Sequence, residues 1–148
     1  MYLHELEQRK CDAFGCGHYD APRGKRKHKG VDLIVEPDTC VKLGMTGEVV
    51  KLGLAYSDPE KNELRYLSVD LGDNWYCRVF YIRNFLSVGD TITGNTDIGK
   101  TLSLKSHFGE GMTDHVHFEC YKTNHSDIHD KRHFQYIDPN IVLKALRG

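Results

Sequence analysis

The sequence contains no hydrophobic run close to the roughly 20 residues that a membrane-spanning helix needs, and it has almost no net charge. Twenty lysine and arginine residues stand against 21 aspartate and glutamate residues in a chain of 148, so the formal net charge is −1. This balance favours neither nucleic acid nor an anionic membrane as a partner of the surface as a whole. A hydrophobic content of 39% is typical of a globular domain with a real core.

The sequence also lacks internal repeats, low-complexity tracts and linkers, so we expect a single domain over residues 1–148. Residues 1–30 show neither strand nor helix periodicity, so we expect a loop-rich N-terminal segment, which we call the lead-in. Later on, short apolar or alternating runs separated by turn residues predict strands at 31–35, 48–54, 64–71, 76–82, 101–104 and 116–121. Many short strands with regular turns favour an antiparallel sheet.

Residues 122–148 form a polar extension that we expect to end in a helix. Asp138 is a good N-cap and Pro139 suits the first helical position. The apolar stripe predicted for this helix consists of Ile141, Val142, Ala145 and Leu146. The predicted fold class is therefore mainly β, an antiparallel sheet core with long loops and a C-terminal helix.

The chain has five cysteines, and their spacing is informative. Cys11 and Cys16 enclose a short segment with Gly15, and no second close pair completes a zinc knuckle, so they predict a small disulfide loop. The total of five leaves one cysteine over, and Cys40 has no evident partner. Disulfides belong to oxidising compartments, whereas residues 1–10 lack the apolar stretch of a signal peptide. We expect a secreted protein whose signal peptide has been removed.

Two short motifs carry candidate metal ligands. His28 and Asp32 lie four residues apart, and His115 and His117 lie two apart. In an extended chain side chains alternate, so each pair is expected to share one face. Imidazole nitrogens with one carboxylate suit zinc better than calcium or magnesium, and three protein ligands leave the fourth position open. For either motif alone, ordinary surface or core histidines are the alternative.

In this order the motifs resemble the lysostaphin-type (LytM-like) zinc endopeptidases, which cut peptidoglycan cross-links. The sequence is more similar still to the leukocyte cell-derived chemotaxin 2 family, secreted animal proteins on the same scaffold. The matching stretches are 11–19, 28–32, 46–47, 77–82 and 115–120. The resemblance implies that His28, Asp32 and His117 bind zinc and that Cys77 and Cys120 form a second bridge.

The same resemblance implies that catalysis has been lost. Active peptidases carry a second catalytic histidine in a strand that reads Phe-Tyr-Ile here, so Tyr81 stands at the position of that histidine and His115 is a vestige of the pair. Loss of one oxyanion donor costs ~10²–10³ in turnover, and a phenol cannot act as an imidazolium near neutral pH. No catalytic residue is therefore expected.

The leading hypothesis is a secreted, zinc-binding signalling protein of the chemotaxin type, a cytokine of innate immunity. Its zinc-ordered cleft would recognise a cell-surface receptor or another extracellular protein. One alternative is an active zinc metalloendopeptidase that cuts peptidoglycan or glycine-rich peptides. Another is a module that binds bacterial cell wall without cutting it.

Two further clusters stay open. Segment 23–29 is rich in lysine and arginine beside the first ligand. In a secreted protein it would suit sulfated glycosaminoglycan, in the cytosol RNA or nuclear import, and a solvated loop without a specific partner is an equal alternative. His125, His129 and His133 recur every four residues. They indicate a second metal site, but their polar surroundings favour a solvated loop or helix face.

Overall fold

The computed structural model describes all 148 residues and confirms the predicted fold class. Two α-helices, α1 (Lys105–Phe108) and α2 (Asn140–Arg147), and three 3₁₀ turns (Leu3–Glu5, Pro59–Lys61, Lys131–His133) accompany fourteen strands. The strands are β1 (Cys11–Asp12), β2 (Gly15–Cys16), β3 (Pro22–Arg23), β4 (Arg26–Lys27), β5 (Val31–Ile34), β6 (Cys40–Lys42), β7 (Gly47–Leu54), β8 (Arg65–Gly72), β9 (Trp75–Phe80), β10 (Ile82–Asn84), β11 (Thr91–Ile92), β12 (Asp97–Thr101), β13 (His115–Lys122) and β14 (Gln135–Ile137). None of the helices has the length and apolar character to cross a membrane.

The main sheet is antiparallel and has the strand order β11-β7-β8-β9-β13-β14. One edge of β13 pairs with β9, and two strands share its other edge: β5 pairs with the first half and β14 with the second. This double pairing buries β13 almost completely. Because side chains alternate along a strand, Val116 and Phe118 enter the core while His115, His117 and Glu119 face the other way.

The core draws residues from the whole length of the chain. Leu3 and Leu6 of the lead-in join it at one end and Leu143 of α2 at the other. Leu3 and Leu143 are fully buried, and burial of a leucine side chain contributes about 1.5–3 kcal/mol. The lead-in is therefore part of the packed domain and does not merely precede it.

Two small hairpins that the sequence did not predict organise the lead-in. β1 pairs with β2 across the Cys11–Cys16 disulfide, and β3 pairs with β4. The β3–β4 loop has two residues, and the first, Gly24, has φ +62°. Such tight hairpins need a positive φ there, which glycine supplies without strain.

Some predicted element bounds were wrong. Residues 101–104 are not a strand: β12 ends at Thr101, and Leu104 begins the turn into α1. β12 contains a single large apolar residue, Ile98, so its hydrophobic pattern was too weak to find it. The predicted strand 76–82 is interrupted at Tyr81, whose φ is +75°.

The C-terminal helix exists, but the face that it buries differs in part from the one predicted. α2 begins one residue later than predicted, with Pro139 at the N-cap position, and Asp138 accepts a hydrogen bond from the backbone N–H of Asn140 at 2.9 Å. The predicted stripe is right in part: Val142 packs against the core, but Ile141 is 65% exposed and the fully buried residue is Leu143. The packing of α2 against the lead-in turn at Leu3–Glu5 selects the buried face, and no local pattern contains that contact.

Candidate metal centre

The pairing of β5 with β13 places two of the predicted ligands side by side. Asp32 lies directly opposite His117, and Ile34 lies opposite His115. His28 precedes β5 and belongs to no strand, so the expectation that strand alternation aligns it with Asp32 was wrong. Its backbone N–H donates to the carbonyl of Ala21 at 2.8 Å, and this tie to the lead-in fixes its position.

Gly30 lets this segment pass close to β13. A Cβ atom at Gly30 would lie 2.2 Å from the carbonyl oxygen of Phe118, a distance that no side chain tolerates. Only glycine allows two backbones to approach so closely. Because of this close approach, the segment between His28 and β5 lies against β13 near His117.

The three predicted ligand atoms converge. The distance between His28 Nε2 and His117 Nδ1 is 2.9 Å, that between His117 Nδ1 and Asp32 Oδ1 is 2.9 Å, and that between His28 Nε2 and Asp32 Oδ1 is 3.0 Å. All three residues are buried. Two nitrogens and one oxygen at the corners of a nearly equilateral triangle form one face of a tetrahedral shell, the arrangement that zinc prefers.

The remaining ring nitrogens are already engaged. His28 Nδ1–H donates to the carbonyl of His18 at 2.9 Å, and His117 Nε2–H donates to Glu119 Oε1 at 2.8 Å. Each bond fixes the ring so that its other nitrogen faces the triangle. Metal-binding histidines typically hold their outer N–H in this way, so the donor set fits a zinc ion.

The electrostatics of the triangle are strongly coupled. Burial by itself raises the pKa of Asp32, but hydrogen bonds with His117 and His28 bring it well below its usual value. Burial lowers the pKa of His117, yet its hydrogen bonds with Asp32 and Glu119 raise it to about 9. Burial also opposes ionisation of Glu119, whose contacts with His117 and Arg78 lower its pKa to about 2. The ionised carboxylate of Asp32 thus places a negatively charged oxygen at one corner of the triangle.

Arg9, which belongs to none of the sequence motifs, positions Asp32. It is buried, and its Nε and Nη2 atoms lie 3.1 and 3.0 Å from Asp32 Oδ2, the oxygen outside the triangle. Its Nη1 donates to Asp12 at 2.7 Å, and Asp12 also accepts from the backbone N–H of Thr113, just before β13. The disulfide-closed loop thereby supports the ligand site from behind.

Arg78 and Glu119 form a second support that sequence reasoning missed. Glu119 follows His117 by two positions, so its place on the same strand face was a signal in the sequence. Arg78 donates to Glu119 Oε2 from Nε at 2.9 Å. Its guanidinium lies 5.2–5.6 Å from the centres of four aromatic rings: Tyr66, Phe80, Tyr121 and Phe134. This enclosure holds Glu119, and through it the ring of His117, in one orientation.

Tyr81 lies beside the triangle, opposite His115. The two rings meet edge to face with centres 5.5 Å apart, and the Tyr81 hydroxyl lies 3.1 Å from that of Tyr56. The pKa of Tyr81 lies well above its usual value, mainly because the hydroxyl is buried and also because Tyr56 lies close to it. Positive φ is rare for a bulky residue and costs about 1–3 kcal/mol. Here it turns the Tyr81 ring out of the strand and into the cleft.

His115 faces the same cleft in a neutral form. Burial lowers its pKa, although the neighbouring Asp32 partly offsets this. Its Nδ1–H donates to the carbonyl of Thr113 at 2.7 Å, and Nε2 lies 3.5 Å from Asp32 Oδ2. His115 therefore offers an unprotonated Nε2 beside the ligands without belonging to the triangle.

The cleft has a volume of about 330 Å³ and two unlike walls. The predicted ligands and His115 form the polar wall. Apolar and aromatic side chains form the other: Ala55, Tyr56, Leu104, Phe108 and Met112. A ligand with one polar group among apolar neighbours matches this division.

The later histidines do not assemble as their spacing predicts. His125 and His133 stack with ring centres 3.9 Å apart, and Asp130 instead of His129 is their near neighbour. The Asp130 carboxylate is already bound by Arg132 at 2.8–3.0 Å. Because this cation occupies the only carboxylate of the cluster, the arrangement suits a metal poorly.

The cysteines follow the predictions in part. Cys11 and Cys16 form a disulfide. Cys77 and Cys120 lie directly opposite each other on β9 and β13, but both are free thiols, so the second bridge is not formed in this structure. Burial raises the pKa of both thiols, and a protonated, enclosed thiol oxidises slowly. Cys40 is also free.

No protein-family model matches the chain, but individual relatives do. Leukocyte cell-derived chemotaxin-2 of Mus musculus is 32% identical over 114 residues, which cover 76% of this chain and 72% of the relative. The chain belongs to the leukocyte cell-derived chemotaxin-2 family. This confirms the family resemblance inferred from the sequence motifs.

Solved structures of two peptidases have a similar fold. The catalytic domain of lysostaphin from Staphylococcus simulans superposes with a TM-score of 0.67 at 22% identity, covering 96% of this chain and 95% of that one. A zinc-containing peptidase from Vibrio cholerae superposes with a TM-score of 0.51 at 17% identity, covering 76% and 33%. At these identities the likeness establishes the fold alone.

Proposed function

We propose that this chemotaxin-family protein is a secreted zinc-binding recognition protein without peptidase turnover. Zinc is held by His28, Asp32 and His117, and the cleft beside it binds a receptor or another extracellular ligand. The observation that carries the proposal is the pairing of a well-supported ligand triangle with Tyr81 opposite His115. The triangle supports metal binding, and the tyrosine argues against catalysis.

The donor set supports zinc over harder cations. Its three atoms lie within 3.0 Å of one another, and both outer ring nitrogens are held by hydrogen bonds. When bound in such a site, zinc supplies a Lewis acid with an open coordination position. The residues of this chain hold the three ligand atoms in place before any metal arrives, which reduces the cost of binding.

The absence of turnover rests on Tyr81. Its hydroxyl is paired with Tyr56, and its raised pKa keeps it protonated at neutral pH. It can donate one hydrogen bond but cannot act as a cationic imidazolium. His115 remains as the single imidazole beside the ligands, so the pair that an oxyanion would need is incomplete.

Secretion is supported by the Cys11–Cys16 disulfide, because such bonds persist in oxidising compartments. Recognition is supported by the division of the cleft into a polar and an apolar wall, a common feature of ligand sites. Zinc would add an open coordination position to the polar wall, so ligand binding is expected to depend on metal.

Zinc binding is tested by metal analysis of purified protein. Wild type is expected to hold one zinc per chain, and His117→Ala is expected to lose it. His129→Ala is the matched control and should retain full occupancy, since His129 lies outside the triangle. Full zinc occupancy in His117→Ala would overturn the ligand assignment.

The non-catalytic role is tested by incubating zinc-loaded protein with pentaglycine and peptidoglycan stem peptides. We expect no product. Cleavage that disappears on chelation would establish instead a zinc endopeptidase, which the lysostaphin-like fold makes the main rival. A pull-down with intact peptidoglycan separates a receptor-directed protein from one that binds cell wall without cutting it.

A further inference from the structure

A second cavity, a groove of about 540 Å³, lies beside the metal centre between the β3–β4 hairpin and the segment 131–136. It shares Arg23, His28, Phe80 and His117 with the metal cleft, so the two cavities adjoin. Nothing in the proposed function uses this groove. We call it the basic groove.

Its rim carries cations that have no partner within the chain. Arg26, Lys27 and Lys29 of the hairpin segment are exposed, and Lys131 faces them from the C-terminal extension. None of these four side chains forms an ion pair or donates a hydrogen bond to another residue. Some cations elsewhere in the protein are paired, as Lys42 is with Asp97 and Arg132 with Asp130.

No acidic side chain offsets this charge inside the groove. Glu119 is the single carboxylate in its wall, and it is buried. Both of its oxygens are occupied, one by His117 and the other by Arg78. The chain as a whole has a net charge of −1. The positive charge of the groove therefore comes from the clustering of cationic side chains there and not from an excess of them in the sequence. Such a cleft concentrates anions.

The floor of the basic groove is aromatic. Phe80, Phe134 and Tyr136 line it and are partly exposed. Phe134 stacks on buried Tyr121 with ring centres 3.8 Å apart, and the Lys29 ammonium lies 5.5 Å from the centre of the Tyr136 ring. Rigid aromatic faces offer contact to the C–H faces of sugar rings, while lysine and arginine bind sulfate and carboxylate groups.

We propose that the basic groove binds a sulfated polysaccharide. A chain of sugar rings with sulfate groups matches an aromatic floor bordered by unpaired cations. RNA is also an anionic chain that stacks on aromatics, but the Cys11–Cys16 disulfide points to an oxidising compartment. In that compartment sulfated polysaccharides are the abundant linear polyanions. The proposal goes beyond the proposed function, because it concerns a different cavity and does not require bound zinc.

The test measures binding of a heparin octasaccharide by calorimetry over a range of salt concentrations. The groove variant combines Arg26→Ala, Lys27→Ala and Lys29→Ala. The control variant combines Lys10→Ala, Lys105→Ala and Lys144→Ala, three exposed cations away from the groove that also lack partners. The groove variant is expected to bind about tenfold more weakly or worse and to show a smaller salt dependence, since fewer counterions are released.

The control variant is expected to bind like wild type. Equal weakening in both variants would show that binding depends only on the total positive charge of the protein, and it would overturn the proposal. Unchanged binding in the groove variant would do the same. Zinc content should stay at the wild-type value in both variants, so a failure here is distinct from a failure of the metal assignment.

Two further probes identify the ligand chemistry. The same octasaccharide without sulfate is expected to bind at least tenfold more weakly, because the sulfates make the ionic contacts. A single-stranded oligouridylate of equal charge is expected to bind more weakly than the sulfated octasaccharide. Tighter binding of the RNA would overturn the proposal in favour of a nucleic-acid groove.

Discussion

At the scale of single residues, the site depends on side chains that orient other side chains. Arg9 neutralises the outer oxygen of Asp32 and links it to Asp12. Tyr81 adopts a strained backbone conformation to enter the cleft. Neither residue is a ligand, yet each decides what the ligands can do. Two predictions follow from these two positions.

Tyr81→His should create weak turnover. Histidine tolerates positive φ better than most residues, and its imidazole would restore a cationic donor opposite His115. We expect weak, chelator-sensitive cleavage of pentaglycine where wild type shows none. The activity should be weak because one such donor contributes no more than about 10²–10³ in turnover. The control Tyr81→Phe should remain inactive. An inactive Tyr81→His with normal zinc content would show that the shape of the cleft also prevents catalysis.

Arg9→Met should destabilise the fold and weaken metal binding. The substitution removes the guanidinium that contacts Asp32 Oδ2, and removal of one partner of a buried ion pair typically costs about 3–5 kcal/mol. Zinc affinity should fall about 10–100-fold, as it does when residues supporting a metal ligand are removed. Denaturant unfolding and zinc titration measure the two effects.

Arg132→Met provides the comparison for Arg9. Its ion pair with Asp130 lies on the surface, where the arginine side chain is 85% exposed, so the change should stay within about 0.5 kcal/mol. Equal effects of the two substitutions would refute the structural role given to Arg9.

At the scale of elements, β13 and its neighbours set the register of the site. β5 brings Asp32 opposite His117, while β9 brings Cys77 opposite Cys120. A shift of one residue in the pairing of β13 with a neighbouring strand would turn the side chains that now face the cleft to the opposite face of the sheet. Close approach at Gly30 and the pairing with β14 keep β13 in that register.

Gly30→Ala should therefore disrupt both stability and zinc binding. The new methyl group would lie 2.2 Å from the Phe118 carbonyl, so the segment before β5 must move away from β13. We expect a loss of about 3 kcal/mol, at the upper end for overpacking, and reduced zinc occupancy. Gly24→Asn is the control, since its site is open and asparagine accepts positive φ. Normal zinc content in Gly30→Ala would contradict this account.

Oxidation should join Cys77 to Cys120. Directly opposed residues on antiparallel strands have Cα atoms about 4.5–5.5 Å apart, within the range that a disulfide spans. Because both thiols are buried, the reaction is expected to be slow. Peptide mapping after prolonged oxidation should find this bridge together with Cys11–Cys16. A Cys40–Cys77 bridge would contradict the register of β9 and β13.

At the scale of the whole molecule, the candidate metal site connects distant parts of the chain. His28 comes from the lead-in, Asp32 from β5 and His117 from β13. The basic groove adjoins them and is closed by the C-terminal extension. A zinc ion would therefore act as a staple between the lead-in and the main sheet.

Zinc affinity should rise with pH. The pKa of His117 is raised to about 9 by its hydrogen bonds, so the ring is protonated at neutral pH and zinc must displace that proton. Below the pKa, one released proton means an affinity gain of about tenfold per pH unit. The gain should level off above pH 9. Zinc titrations at pH 6, 7 and 8 measure the slope, and a flat profile would contradict the role of His117 as a ligand.

Chelation should lower thermal stability in the same pH range. A ligand bound only to the folded state stabilises it by about 4 kcal/mol at a thousandfold excess over the dissociation constant. The melting temperature should therefore fall when zinc is removed, and it should fall much less in His117→Ala, which has no zinc to lose.

The amino-acid sequence by itself determined the fold class, the family and the candidate ligands. Short alternating runs predict strands because side-chain period two is local. The motifs around His28 and His117 are also local, and so is the close cysteine pair. The strand β12 and part of the buried face of α2 were mispredicted, because their place depends on partners that are distant in the chain.

Only the tertiary structure decided how the site is supported. Arg9 reaches Asp32 from 23 positions away, and Arg78 reaches Glu119 from 41. The basic groove combines a hairpin near the beginning of the chain with a segment near its end. No local pattern encodes these contacts, because they depend on strands that are distant in the chain. β9 pairs with one edge of β13 and places Arg78 opposite Glu119, while the close approach at Gly30 and the pairing with β5 and β14 form the other edge.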